Sequence, residues 1–557
     1  MTVKSDLYTH EVFNQSPVFQ DINLFTTDPV LKNIVQQEEN EDLVAELTAF
    51  GEVAGSAHVL ELGQQANENQ PKLKLFDQKG NRLDKVEFHP AYHELMAISM
   101  KQGLHCSPWE HLKDGSGTPV TGSHVKRSAG LYMIGQADSG HGCPVSMTHA
   151  AVATLVKQDN LSAEWLPKIL SRDYDKSFRP VSAKTSATLG MGMTEKQGGS
   201  DVRANTTKAS PARNGGPGEE YILTGHKWFM SAPMCDAFLV LAQAPAGLSC
   251  FLVPRFLPDG SVNGLQFQRL KEKLGNKSNA SSEVEFHNAH GWLIGDEGRG
   301  VANIIDMVTF TRLDCAVMSS GLMRLAFANA LHHAENRTVF QKRLVDQPLM
   351  GQVLADMALD VEAATRLSFR MAQAFDKQNK AYERAIARLM MPVAKFWICQ
   401  MAPALVFEAM VALGGNGYVE EGILSRIYRE VPVNAIWEGS GNVMCLDVLR
   451  VVQRDRDAVD SVVAMLDSEA LGNSVLVSAV EEIKGYLSSP GELERNARGF
   501  VELLAMTVSG ILLQKESSNL VADSYIGSRL NGGMRYTYGA GLRGIDGAAI
   551  LRGYRKG

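Results

Sequence analysis

The spacing of apolar residues is helical in the first third of the chain, as in Leu43, Leu47, Phe50 and Ala54. Apolar residues three or four positions apart predict helices with one buried face. Residues 1–180 are therefore predicted to form an irregular polar arm followed by a helical domain. Within this domain, apolar and polar residues alternate on both sides of a glycine-containing turn in the segment LFDQKGNRLDKVEFHP, which predicts a small hairpin.

The pattern changes between residues 181 and 295. Short runs rich in β-branched and aromatic residues, EYILTGHKWFMS, FLVLAQA, LSCFLVPRF and SSEVEFHNA, are separated by glycine, proline and asparagine. Such runs predict strands, and their close succession predicts a compact β domain.

Long helical patterns return over residues 296–450, where three long helices and a final short one predict a four-helix bundle. Pro392 and Pro403 are expected to kink or interrupt the third helix. Alternating charged and apolar faces continue beyond residue 450. Residues 451–557 are therefore predicted to form a further helical domain that ends in a tail rich in glycine, arginine and tyrosine.

Length and composition place the chain among ordinary globular proteins. Its 557 residues exceed what one hydrophobic core can organise, and 45% of them are hydrophobic against 21% charged. The sequence lacks an uninterrupted apolar run of about 18 residues and a signal-peptide pattern, so we expect a cytoplasmic protein that does not enter a membrane. The seven cysteines form no CxxC pair and His89, His93 and His105 lack ligand spacing, so no metal site is predicted.

The net charge of −7 is distributed unevenly. Residues 451–557 as a whole carry 12 Lys or Arg and 13 Asp or Glu, whereas residues 524–557 carry six cations against Asp546 alone. A basic tail with tyrosines can follow phosphates and stack on bases. It can equally be a flexible, solubilising terminus, and composition leaves both interpretations open.

Two glycine-containing segments carry candidate chemistry. In YREVPVNAIWEGSGNVMCLDVLR, Glu438 lies between an apolar run and a turn, and a helix follows. Apolar surroundings can tune a carboxylate toward a general base, and a helix N-terminus favours an anionic cofactor. The alternative is a solvated carboxylate beside a helix capped by Ser440 or Asn442. In GMGMTEKQGGSDV, glycines allow close approach of a ligand, but the spacing fits neither a P-loop nor a dinucleotide fingerprint.

Taken in chain order, these segments resemble the acyl-CoA dehydrogenase family. The resemblance is carried by MTEKQGGSDV, GHKWFMS, ENRTVFQKRLVDQPL, ALGGNGYVEE and IWEGSGNVMCLDVLR. It implies an α+β multidomain fold with an N-terminal helical domain, a central β-barrel-like domain and a four-helix bundle, here with an extra C-terminal helical domain.

The resemblance also implies bound FAD and a homotetramer built as a dimer of dimers, in which a second subunit completes each flavin site. Glu438 would remove the α proton of an acyl-CoA while a β hydride passes to the flavin, and Arg312 would contact the CoA portion. The positions that match cofactor contacts of the family are Met191, Thr194, Ser200, Phe229, Met230, Ser231, Arg337, Phe340, Gln347, Ile436, Trp437, Gly439 and Asn442.

A narrower resemblance runs through HEVFNQ, ELGQQAN, RLDKVEFHPAYHELM, LSCFLVPRFLPDG and RLKEKLGNKSNASSEVEF. These segments are similar to the AidB-like branch, flavoproteins of the adaptive response to DNA alkylation. That branch implies weak activity on short or branched acyl-CoA and a C-terminal domain that binds double-stranded DNA. The alternatives are a metabolic acyl-CoA dehydrogenase that passes electrons to an electron-transfer flavoprotein, and a flavin-binding protein without turnover.

Overall fold

The computed structural model describes residues 12–113, 117, 119–532, 537–542 and 544–555. Its N-terminal part is helical, and the predicted hairpin is confirmed as an antiparallel pair of strands, β1 (Lys72–Phe76) and β2 (Arg82–Glu87). The helices are α1 (Pro29–Gln36), α2 (Glu41–Ala54), α3 (Ala57–Glu68), α4 (Pro90–Lys101), α5 (Ser123–Ala137), α6 (Gly142–Leu155) and α7 (Asp159–Ile169).

Local sequence explains where these helices begin. Asp28 caps α1 by accepting hydrogen bonds from the amides of Val30 and Leu31, and Pro29 occupies the first helical position, where its missing N–H costs nothing. Asn40 and Ser56 cap α2 and α3 in the same way.

The central part is a β domain with strands β3 (Leu189–Gly192), β4 (Lys208–Pro211), β5 (Glu220–Ser231), β6 (Ala237–Ala244), β7 (Gly247–Pro254), β8 (Leu265–Leu270) and β9 (Ser281–Ile294). Strand β6 pairs with β7, β7 with β9, β9 with β5, β5 with β4, and β4 again with β6. The ring of pairings closes, so the sheet is barrel-like and its inward side chains form a core of their own.

The bundle consists of α8 (Gly300–Asn336), α9 (Pro348–Asp376), α10 (Ala381–Leu413) and α13 (Gly441–Arg454). A short hairpin, β10 (Thr338–Val339) and β11 (Lys342–Arg343), joins α8 to α9, and the short helices α11 (Gly415–Tyr418) and α12 (Ile423–Glu430) precede α13. The predicted interruption at Pro392 and Pro403 is wrong, because α10 is one helix through both prolines. Packing of α10 against α8, α9 and α13 offsets the hydrogen bonds that the prolines remove.

Further helices follow the bundle: α14 (Arg456–Glu469), α15 (Ser474–Leu487), α16 (Pro490–Leu493), α17 (Ala497–Glu516), α18 (Asn519–Arg529) and α19 (Gly547–Leu551). Two helices of the described chain, α10 and α17, are long and apolar enough to cross a bilayer, but more than half of each apolar window is buried inside the fold. They are therefore core helices, which pass the same length and composition test.

The described part of the C-terminal tail packs back onto the bundle. Arg529 is buried and forms ion pairs with Asp356 and Asp360, and Arg555 pairs with Glu335. Two of the six tail cations are thus engaged inside the protein. Arg552 is exposed, while Arg535, Arg543 and Lys556 lie outside the described residues.

Candidate active site

The loop that connects α12 to α13 carries Glu438 in a left-handed backbone conformation. Its φ is 59° and that of the following Gly439 is 106°. Glycine adopts such angles freely, but a glutamate does so at a cost, and residues held in this way concentrate at functional sites. The loop conformation must therefore be imposed by its surroundings.

Two buried cations impose it by binding three consecutive carbonyls. Lys395, on α10 and only 1% exposed, donates from Nζ to the carbonyl of Trp437 at 2.9 Å and also to that of Gly439. Arg312, on α8, donates from Nε to the carbonyl of Glu438 at 3.1 Å. The peptide groups on both sides of Glu438 are thereby fixed to the bundle.

The carboxylate of Glu438 is poised for proton transfer. Burial raises its pKa above the ordinary value, although a hydrogen bond from Thr311 and the charges of Lys395 and Arg312 act in the opposite direction. Thr311 Oγ1 donates to Glu438 Oε2 at 2.7 Å, which orients the carboxylate. A carboxylate with a raised pKa and a fixed direction suits a general base, so the capped-loop alternative does not describe this residue.

The role expected for Arg312 differs from its position. Its side chain is largely buried, and besides the Glu438 carbonyl it binds Asp447 Oδ2 through Nη1 at 2.6 Å. A guanidinium held by these two partners supports the base loop, and its contact with CoA stays a prediction. Asp447 is also approached by the more exposed Arg388 and Arg450, each at 3.7 Å, so three cations face one carboxylate at this surface.

The glycine-rich loop after β3 is tied to β5 by a buried ion pair. Lys227 Nζ lies 2.7 Å from Glu195 Oε1, and both side chains are fully buried. Burial alone would raise the pKa of Glu195, but Lys227 and the amides of Thr206 and Thr207 outweigh it and hold that pKa below the usual range. The segments MTEKQGGSDV and GHKWFMS are therefore joined through their Glu and Lys.

Replacing Lys227 by methionine is expected to destabilise the protein by about 3–5 kcal/mol, since Glu195 would remain buried without its counter-charge. Urea unfolding followed by tryptophan fluorescence measures the loss. The double variant Glu195→Met, Lys227→Met should recover part of it. A double variant less stable than Lys227→Met would contradict the assignment of the loss to an uncompensated charge.

The residues matched to the flavin face differ in how far they are exposed at the surface of the β domain. Phe229 is half exposed, Thr194 and Ser231 are partly buried, and Ser200 is exposed. Met191 is partly buried against the barrel core, as is Trp437 of the base loop. Met230, in contrast, is fully buried in the barrel core, so its side chain does not reach the surface where the flavin contact is expected.

A second group of matched residues lies far from Glu438. Arg337, Phe340 and Gln347 are placed at the β10–β11 hairpin, where Gln347 Nε2 donates to the Val339 carbonyl and Arg337 to that of Asn14. Thr311 and Arg337 are 26 residues apart along α8 and its C-cap, which corresponds to about 39 Å at 1.5 Å per residue. One subunit therefore does not bring both groups together.

The remaining matched residues surround Glu438. Ile436 is 67% exposed, and Trp437 Nε1 donates to Asn434 Oδ1 at 2.9 Å. Asn442, in the first turn of α13, accepts a hydrogen bond from Arg498 of α17 at 2.9 Å, so the C-terminal domain reaches this turn.

Three residues that hold the elements of the site in place were not predicted from the sequence. Thr311 adjoins Arg312 but carries no motif, and Lys395 lies within a methionine-rich apolar stretch assigned to the core. Glu430 accepts hydrogen bonds from the backbone and side-chain amides of Asn276, which docks α12 on the β domain. A lysine on the buried face of a helix was the available signal for Lys395, because unpaired lysines are rarely buried.

Comparison with known proteins agrees with this architecture. Residues 14–176 match the N-terminal domain of the adaptive response protein AidB, residues 190–289 the acyl-CoA dehydrogenase middle domain, and residues 298–453 the acyl-CoA dehydrogenase C-terminal domain. The chain is 47% identical over 458 residues to the Escherichia coli (strain K12) protein named acyl-CoA dehydrogenase AidB, covering 81% of this chain and 82% of that protein. The chain belongs to the acyl-CoA dehydrogenase family.

Solved structures of this family share the fold. The crystal structure of Caenorhabditis elegans ACDH-11 in complex with C11-CoA superposes with a TM-score of 0.84 at 28% identity, covering 96% of each chain. An acyl-CoA dehydrogenase from Bacillus anthracis complexed with FAD gives a TM-score of 0.68 at 16% identity, covering 97% of this chain and 93% of that one, and shows the fold alone. The expected α+β multidomain architecture is confirmed, and membership of the acyl-CoA dehydrogenase family supports a FAD-dependent oxidoreductase.

Proposed function

We propose that the protein binds FAD and oxidises an acyl-CoA thioester at its α and β carbons, with Glu438 as the base. The observation that carries this proposal is the strained, partly buried glutamate whose carboxylate is oriented by Thr311. A strained glutamate fixed by two cations has no evident use in folding, whereas proton abstraction requires a carboxylate held in one direction.

The residues present fit a flavin cofactor. Large apolar side chains are exposed at three of the positions matched to cofactor contacts: Phe229 on β5, Phe340 on the hairpin and Ile436 in the base loop. A single exposed apolar residue is common on a protein surface. Here, however, all three exposed residues are at positions predicted to contact the cofactor, which supports their being covered by a planar ring system. Ser440 makes no side-chain cap, which leaves the first amides of α13 available to an anion.

In this proposal FAD, when bound, would accept the hydride that leaves the β carbon and, with it, both electrons of the oxidation. Glu438 would take the α proton on its carboxylate, and burial raises the pKa of this group above its ordinary value, which makes it a stronger base. Lys395 and Arg312 keep the loop from relaxing as the carboxylate loses its charge. The cations Arg388 and Arg450 beside Asp447 would add positive charge near Arg312, the residue expected to contact the anionic CoA portion.

The test is an anaerobic titration of the purified, flavin-loaded protein with short straight-chain and branched acyl-CoAs. The visible absorbance of the oxidised flavin should fall as substrate is added. A protein that takes up FAD but keeps its oxidised spectrum with every acyl-CoA would contradict the dehydrogenase function.

We also propose that the protein assembles into a homotetramer, a dimer of dimers, in which the hairpin of one subunit completes the flavin site of another. The separation of about 39 Å along α8 supports this arrangement, as does Phe340, which is 90% exposed in the single chain.

Phe340→Ala is accordingly expected to weaken FAD binding about 5- to 150-fold, since one ring stacked on a base contributes about 1–3 kcal/mol. Flavin content after dialysis, read from the ratio of visible to protein absorbance, measures the change. Leu349→Ala is the matched control, because Leu349 is equally exposed at the start of α9. Equal flavin content in the two variants would remove Phe340 from the cofactor site.

The second candidate function is that of the AidB-like branch: binding of double-stranded DNA in the cytoplasm as part of the response to alkylation. It is favoured by the match of residues 14–176 to the AidB N-terminal domain. The basic composition of residues 524–557 is weaker support for DNA binding than the sequence indicated, because Arg529 and Arg555 form ion pairs within the protein.

If the tail contacts DNA, the triple variant Arg535→Gln, Arg543→Gln, Lys556→Gln should bind duplex DNA more weakly at low salt. The plot of log affinity against log salt concentration has a negative slope, and this slope should become less steep by about 0.9 for each phosphate contact removed. Arg495→Gln, at an exposed position of α16–α17, is the control. An unchanged slope in the triple variant would exclude these three cations as DNA contacts.

A further inference from the structure

A cavity of about 290 Å³ lies where the bundle meets the C-terminal domain. Its walls come from α9 and α10 of the bundle and from α14 and α17 of the extension. Its lining residues are distinct from those that hold Glu438, and the acyl-CoA site proposed above does not use it.

The floor of the cavity is apolar. Met371, Met390 and Ile511 line it and are buried, and the partly buried Met465 closes one side. Methionine side chains are flexible and polarisable, so they adapt to an aliphatic chain of varying conformation. An enclosed floor of this composition accepts hydrocarbon and offers nothing to a polar ligand.

The mouth of the cavity is polar, and each of its two cations lies beside a carboxylate. Its four polar lining residues are Arg370, Tyr382, Glu469 and Lys515. Arg370 pairs with Glu383 at 2.8 Å and Lys515 with Glu469 at 2.5 Å, which holds both cations at the rim. A carboxylate at the mouth gains charge-assisted hydrogen bonds from these cations and the tyrosine hydroxyl.

The volume limits the length of the chain. At about 30 Å³ for each water-sized group, the cavity holds roughly ten non-hydrogen atoms, which is the size of octanoate. We propose that this cavity binds a medium-chain carboxylate, with its aliphatic chain on the methionine floor and its head at Arg370 and Lys515.

Occupancy would act on the contact between the two domains. The chain would touch helices of both the bundle and the extension, so it would stabilise the docked arrangement by an amount that grows with the logarithm of its concentration above the dissociation constant. The extension would thus sense free acyl chains at a place separate from the thioester chemistry.

Isothermal titration of the purified full-length protein with octanoate tests the proposal. Octanoate should bind at least about fivefold more tightly than octan-1-ol, which has the same chain without the charge. Lys515→Glu should weaken octanoate binding at least about fivefold, and Met465→Trp, which fills the cavity from its side, should abolish it. Lys484→Glu, an exposed and ion-paired lysine of the same domain, should leave it unchanged.

Three results would overturn the proposal. These are no heat of binding with millimolar octanoate, equal affinity for octan-1-ol, and octanoate affinity that Lys515→Glu leaves unaltered. The last would place any bound octanoate elsewhere, for example beside Glu438. Should Met465→Trp fail to fold, the comparison of Lys515→Glu with Lys484→Glu still decides, because both are partly exposed lysines in salt bridges.

Discussion

Replacing Glu438 by glutamine is expected to lower acyl-CoA oxidation by about 10²–10⁴-fold, the range contributed by a positioned general base. Glutamine keeps the size of the side chain and can still bond to Thr311, but it cannot accept the α proton. Steady-state turnover with an artificial electron acceptor measures the loss. Because the change removes the base and leaves the flavin surface intact, flavin content should stay at the level of the unmodified protein.

The control for this variant is Glu420→Gln. Glu420 is an exposed glutamate in the segment before α12, where it pairs with Arg429. Its replacement should leave turnover within about twofold of the parent, as expected for a surface substitution. If Glu438→Gln retained turnover similar to that of Glu420→Gln, another group would have to be the base.

Lys395→Met is expected to have the second largest effect, through the position of the base loop. The variant leaves the carbonyls of Trp437 and Gly439 without their lysine donor. Each such loss is expected to lower the free energy of unfolding by about 1–3 kcal/mol. A loop released in this way misplaces Glu438, and a misplacement of about 1 Å can lower kcat/KM about 100-fold. Urea unfolding and steady-state kinetics measure the two consequences separately.

The pH profile distinguishes positioning from general destabilisation. The positive charge of Lys395 lowers the pKa of Glu438 against the larger effect of burial. Without that charge the pKa rises further, so the base becomes deprotonated only at higher pH and the acid limb of kcat/KM moves upward. Lys380→Met, at the exposed start of α10, should shift neither limb. An acid limb unmoved in Lys395→Met would contradict electrostatic coupling to Glu438.

The order of the helices and strands could be predicted from the sequence because apolar residues recur in each segment with a spacing typical of one type of secondary structure. Helical spacing, β-rich runs and glycine turns follow one another without overlap, and the motifs add the position of Glu438. The predicted interruption of α10 was wrong because local proline chemistry was outweighed by packing of the helix on three sides.

The supports of the base could not be predicted in the same way, because they depend on contacts across the chain. Lys395 meets residues 42 and 44 positions away, and Thr311 meets a carboxylate 127 positions away. Tail composition likewise did not reveal that Arg529 is buried between Asp356 and Asp360. Met230 shows the same limit, since a motif assigns a position but the strand decides which side chain faces outward.

The central claim is that Glu438 exchanges a proton with the α carbon of a bound acyl-CoA. Exchange of the α hydrogen for deuterium, followed by NMR in D₂O with a substrate analogue that cannot be oxidised, measures this step without redox chemistry. We expect exchange with the parent protein and with Glu420→Gln, and none above background with Glu438→Gln. Undiminished exchange in Glu438→Gln would contradict it.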